Sequence, residues 1–103
     1  MNNIEEHIFL NNLGMIFKNQ NKIEKAIDFF EKALALHEDV FIWVNLGHAH
    51  MLNKDVFSAI NCYKSAIRLQ ENFAPAHLNL AHAYLIIGDY QKGWAEYEYR
   101  LQC

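Results

Sequence analysis

The 103-residue chain is the length of a single domain. Hydrophobic residues make up 52% and charged residues 20%, which excludes a disordered chain. A net charge of −3 provides no basic footprint for nucleic acid, and no apolar run reaches the roughly 18 residues of a membrane span.

Six helices are expected in chain order, at 5–18, 22–36, 39–52, 55–69, 73–86 and 89–102. One proline and four glycines leave room for long uninterrupted helices. In the second helix, Ala26, Ile27, Phe30, Ala33 and Leu34 recur at helical spacing and define one apolar face. Turn residues stand where the chain must reverse: Asn19-Gln20-Asn21, Asn53-Lys54-Asp55 and Gly88-Asp89. The polar, acidic start from Met1 to Glu6 does not read as a secretory leader. Cys62 and Cys103 have no metal or redox spacing, so free thiols in a reducing cytoplasm are expected.

The strongest signal is an internal repeat. Asn12-Leu13-Gly14 returns 33 residues later as Asn45-Leu46-Gly47, and after 34 more as Asn79-Leu80-Ala81. Ala26-Ile27, Ala59-Ile60 and Gly93-Trp94 keep the same steps, as do Phe30, Tyr63 and Tyr97, and Ala33, Ala66 and Arg100. The small residues predict close helix crossings, with Gly14, Gly47 and Ala81 on the first helix of each pair and Ala26, Ala59 and Gly93 on the second. Phe30, Tyr63 and Tyr97 are expected to fill the wedge between pairs.

These residues resemble the tetratricopeptide repeat pattern over about residues 7–103. Repeat one matches at Leu10, Leu13, Gly14, Phe17, Ala26, Phe30 and Ala33. Repeat two matches at Trp43, Leu46, Gly47, Ala59, Tyr63 and Ala66, and repeat three at Leu80, Tyr84, Gly88, Tyr97 and Leu101. The departures are Glu38 and Glu71 where a proline usually closes a repeat, His50 for an aromatic, His77 where repeat two has Trp43, and Arg100 for a small residue. The resemblance implies an all-α solenoid of three antiparallel helix pairs, wound as a right-handed superhelix. One domain, 1–103, would hold repeats at about 7–39, 40–73 and 74–103.

In this family the first helix of each pair lines a concave groove that takes extended peptides. The resemblance places Ile8, Asn11, Asn12, Met15 and Asn19 there from repeat one. It places Phe41, Val44, Asn45, His48 and Leu52 there from repeat two, and Pro75, Leu78, Asn79, His82 and Ile86 from repeat three. Asn12, Asn45 and Asn79 share one repeat position. They resemble the asparagine ladder of O-linked N-acetylglucosamine transferases, where side-chain amides bind the backbone of a threaded polypeptide. The alternative is that this Asn bonds a neighbouring helix. Repeat modules that clamp a chaperone's C-terminal carboxylate use Lys and Asn, then Asn, then Lys and Arg. The matching residues are Asn11, Met15, Asn45, Pro75 and Asn79, so only Asn45 fits and no such clamp is expected. A groove poor in charge and rich in apolar side chains predicts a protein or peptide partner, extended or helical, with apolar anchors.

Chemistry finds little support. His48 and His50 are two apart and diverge on a helix, and His77 and His82 are five apart. His48 and His82 share a repeat position and can neighbour each other, but a metal needs more ligands. Such a histidine pair could instead tune partner affinity below pH 7. Ser58 and Ser65 lie in no nucleophile elbow, and there is no glycine-rich phosphate loop. No enzyme, cofactor or metal site is expected. Glu24, Asp28, Glu31, Asp55 and Asp89 mark exposed helix faces and helix starts.

The last helix is an apolar edge. Trp94, Tyr97 and Leu101 are expected to face a repeat that is missing, which predicts self-association or a longer protein. The segment from Gly93 to Arg100 resembles the final repeat of bacterial tetratricopeptide proteins that continue into a glycosyltransferase-like domain. That resemblance implies the substrate-holding or assembly arm of a larger enzyme.

Overall fold

A computed structural model describes residues 2–89 and 92–96. The helices are α1 Asn3–Asn19, α2 Ile23–Leu36, α3 Val40–Leu52, α4 Val56–Leu69 and α5 Ala74–Ile86. Helical backbone resumes over 92–96, here α6. The bounds of α1 to α5 lie within two residues of those expected from the sequence.

Short polar side chains set the helix starts. Asn2 accepts from the Glu5 N–H at 2.8 Å, and Asp39 accepts from the Phe41 N–H at 2.8 Å. Asp55 accepts from the Ser58 N–H at 3.2 Å, and Asp89 accepts from the Lys92 N–H at 3.3 Å. Pro75 lies in the first turn of α5, where a missing N–H costs nothing. Three equivalent turns close the hairpins. Lys22 N–H donates to Phe17 C=O at 2.8 Å, and Asp55 to His50 and Asp89 to Tyr84, each at 2.9 Å. Each turn passes through a left-handed residue: Asn21 at φ 62°, Lys54 at φ 63° and Gly88 at φ 84°. Only Gly88 adopts that conformation without a Cβ penalty.

α1 packs along α2 and α3 along α4, and successive pairs meet through α2 with α3 and α4 with α5. α3 and α5 contain no Asp, Glu, Lys or Arg, as fits helices packed on more than one side. One core cluster joins Ala26, Phe30 and Ala33 to Ile42, Leu46 and Ala49. The next joins Ala59, Ile60 and Tyr63 to Leu80, Ala83 and Tyr84. The protein is an all-α solenoid of stacked helix pairs.

The expected close crossings are present. A Cβ on Gly14 would stand 2.6 Å from the Phe30 ring, and one on Gly47 2.5 Å from the Tyr63 ring. The third pair reverses the arrangement. Ala81 is on α5, and Gly93 on α6 supplies the space, since a Cβ there would meet Leu85 at 2.9 Å and the Ala81 carbonyl at 3.0 Å. Tyr97, Arg100, Leu101 and Cys103 lie outside the described residues.

Candidate functional groove

The face built by α1, α3 and α5 carries the residues expected to line a groove. Ile8, Met15, Phe41, Leu52, Leu78 and Ile86 are exposed there despite being large and apolar. Phe41 is the most open of these, at 63%. Asn12, Asn19, His48, Pro75 and His82 are also exposed. Val44 is half-buried against the second core cluster, so packing between pairs holds it.

The three equivalent asparagines have different surroundings. Asn12 is exposed, while Asn45 donates through Nδ2 to Asn11 Oδ1 at 3.0 Å, tying α3 to α1. This bond uses one of the four hydrogen-bonding sites of the Asn45 amide. Asn79 lines an open recess of about 270 Å3 with Ala74, Pro75 and Leu78. A second recess of about 160 Å3 adjoins it through Leu78 and is lined also by Ala81, His82 and Leu85.

Two residues of this region carried no repeat signal. Phe73 stands at the cap position that Asp39 holds one repeat earlier, and its ring meets Phe41 edge-on at 5.2 Å. Lys18 Nζ lies 3.2 Å from His48 Nδ1. An ammonium can only donate, so that ring nitrogen is the acceptor. Burial, and secondarily Lys18, holds the His48 pKa below its ordinary value; burial lowers that of Lys18 as well. His48 is therefore neutral at pH 7 and already engaged. Ile4, exposed one turn before Ile8, extends the apolar strip, and no repeat position marks it.

Among the described residues, no group of three His, Cys, Asp or Glu side chains is arranged to hold a metal, and no helix is long and apolar enough to cross a membrane. His77 is buried, with Nε2 2.7 Å from the Glu71 carbonyl and Nδ1 in a short contact with the Glu96 carboxylate. It thus links the start of α5 to α6, a job neither Leu10 nor Trp43 can do at the same repeat position. His77→Leu is expected to cost about 1.5–3 kcal/mol, the worth of a hydrogen bond to a charged group. Urea unfolding at pH 7 measures it, and an unchanged midpoint would remove this link. At the far edge Trp94 is 58% exposed, and its expected companions Tyr97 and Leu101 lie outside the described residues.

Stacked helix pairs with small residues at each crossing, and an open face lined by the first helices, define a helical-repeat solenoid. Two family matches agree, to the tetratricopeptide repeat over residues 8–39 and to the TPR repeat over 57–88. The chain belongs to the tetratricopeptide repeat family.

The peroxisomal targeting signal receptor of Saccharomyces cerevisiae is 32% identical over 81 residues, covering 78% of this chain and 13% of that protein. The anaphase-promoting complex subunit cut9 of Schizosaccharomyces pombe is 31% identical over 86 residues, covering 76% of this chain and 13% of the relative. The chain therefore spans about an eighth of these relatives. Among solved structures, the first TPR of Spaghetti (RPAP3), bound to the HSP90 peptide SRMEEVD, superposes with a TM-score of 0.92 at 19% identity. That match covers 95% of this chain and 79% of the other and shows the shared fold.

Proposed function

We propose that this chain is a protein-interaction module that holds a partner segment along the α1–α3–α5 face. The observation that carries the reading is the uncharged run of open apolar surface from Phe41 and Phe73 across the recess at Pro75, Leu78 and Asn79. Such a surface suits an extended or helical segment with apolar anchors. The family context supports it. One relative is named as a receptor, and one structural neighbour holds a peptide. The acidic tail of that peptide is a poor match here, because Asn11, Met15, Pro75 and Asn79 stand where a carboxylate clamp needs its other polar and cationic groups. Lys18 of α1 is engaged with His48.

On this reading the chain is one repeat domain over 1–103. It works in the cytoplasm, binds without catalysing and needs no cofactor. Neither relative named above is a glycosyltransferase, and the groove does not depend on such a domain following it. Asn45 has two roles to reconcile, since backbone recognition of a partner must use the sites its bond to Asn11 leaves over.

The test uses peptides selected by display on the immobilised protein and remeasured by fluorescence anisotropy. Phe41→Ala and Asn45→Ala should each weaken binding about 5- to 30-fold, as expected of an interface anchor, with the circular dichroism unchanged. Wild-type affinity in both variants would take the groove out of consideration.

A further inference from the structure

Lys18 is the one Lys or Arg in the three helices that build the groove; α3 and α5 have none. Its surroundings differ from those of the cations that pair with acids. Lys32, Arg68 and Lys92 stand beside Asp28, Glu38 and Asp89 at 3.1, 3.1 and 3.8 Å, and their side chains remain well exposed. Lys18 is half-buried, and none of the ion pairs among the described residues includes it. It has instead the neutral ring of His48, 3.2 Å from Nζ. A neutral acceptor satisfies one N–H but supplies no opposite charge, so the cost of taking the ammonium out of water is not offset. The same burial holds the Lys18 pKa below its ordinary value.

The pair presents donors only. An ammonium has three N–H groups, and one is directed at His48. Because His48 Nδ1 accepts, Nε2 carries the ring hydrogen and can donate, and the residue is exposed. Two donors remain on Lys18 and one on His48, with no acceptor among them. Such a set takes an anionic oxygen and rejects a lysine or arginine. Its rim is apolar. Met15, one turn before Lys18 on α1, is 39% exposed, and Leu52, one turn after His48 on α3, is 48% exposed. The acids of α1 are Glu5 and Glu6 in its first turn. The nearer, Glu6, is roughly 18 Å away along the helix. That exceeds a Debye length of ~8 Å at physiological salt, so these acids do not cancel the charge at Lys18.

We propose that Lys18 and His48 form a subsite for the side-chain carboxylate of an Asp or Glu in the partner segment. The subsite depends on the groove reading and deepens it: the partner combines apolar anchors with one acidic side chain. This differs from capture of a chain-terminal carboxylate, for which Met15, Pro75 and Asn79 are the wrong residues. His48 follows Phe41 by two helical turns, roughly 10 Å along α3. The acidic residue therefore stands about three positions from the residue on Phe41 in an extended segment, and about seven in a helical one.

Peptides selected by display on the immobilised protein, remeasured by fluorescence anisotropy, test it. The selected set should share an Asp or Glu at that spacing from an apolar anchor. Changing the acid to Asn or Gln should weaken binding to the wild type about 10-fold, the scale of a hydrogen bond to a charged group, and by less at high salt. Lys18→Met keeps the apolar stem and removes the charge, so it should bind the acidic and neutral peptides alike. Lys18→Arg should retain the preference. Circular dichroism confirms that each variant folds, and Lys18→Gln replaces Lys18→Met if the latter does not. A selected set without a shared acid overturns the subsite. If Phe41→Ala and Asn45→Ala weaken these peptides while Lys18→Met keeps the full acid preference, the subsite fails and the groove stands. If no peptide is selected, or neither Phe41→Ala nor Asn45→Ala changes affinity, groove and subsite fail together.

Discussion

Phe30→Ala is expected to lower the unfolding free energy by about 3–5 kcal/mol, the usual cost of removing a buried phenyl ring. The ring is fully buried in the cluster that joins the first helix pair to the second. Domains of this size have only about 5–15 kcal/mol in total, so the variant should lie near the limit of folding. Gly14 sharpens the test. Alone, Gly14→Ala drives a Cβ to 2.6 Å from the Phe30 ring and should cost about 1–3 kcal/mol through overpacking. With the ring gone the clash disappears, and alanine's better helix propensity should make the same change favourable by up to about 1 kcal/mol. Chemical denaturation of the four species in this cycle measures the coupling. Additive costs would mean that the crossing at Gly14 is not set by Phe30.

The second expected result is a loss of stability in alkali. Burial, with Glu31 and Asp55 contributing, pushes the Cys62 thiol up from 9.0 to about 12. Burial, then the neighbouring Cys62, pushes the Tyr63 hydroxyl up from 10.0 to about 12. Both groups hold their protons more tightly when folded than when unfolded. Their contribution is fully present below pH 9 and is lost as pH rises from about 9 for Cys62 and 10 for Tyr63 towards 12. Unfolding measured from pH 7 to 11 should show a plateau and then a decline. The double variant Cys62→Ala, Tyr63→Phe should flatten that decline while keeping the ring against Gly47. The thiol offers a separate readout. In a Cys103→Ser background at pH 8, a shift of this size leaves ~1000-fold less thiolate than in an ordinary cysteine, so labelling by a disulfide reagent should be slowed accordingly. Labelling of the native protein at the rate of a free thiol would contradict the burial of Cys62.

The repeat pattern alone makes the first five helices, their pairing and their order legible. Small residues at 14, 47 and 81, ring or alanine partners on the second helices, and turn residues near 20, 54 and 88 recur at steps of 33 and 34. A periodic chain places equivalent residues in equivalent surroundings, so one repeat read correctly predicts the others. That logic weakens where a contact is specific to one pair. The asparagine row looks uniform in sequence, yet only contact across helices makes Asn11 the partner of Asn45 and engages Lys18 with His48. Phe73 meets the exposed Phe41 ring from a cap position that has no apolar periodicity. His77 looked like a lost aromatic and instead bridges Glu71 and Glu96, residues brought together by the return of the chain.

The ends show the same division. Phe9, Leu13 and Ile16 form an apolar stripe in sequence, as their buried counterparts do in α3 and α5. Which counterpart is buried depends on the helices packed against it, α2 for the stripe of α3 and α4 for that of α5, and that is a property of the tertiary arrangement. Local chemistry decides what each helix offers; the tertiary arrangement decides which of those faces water, because burial is settled by neighbours distant in sequence.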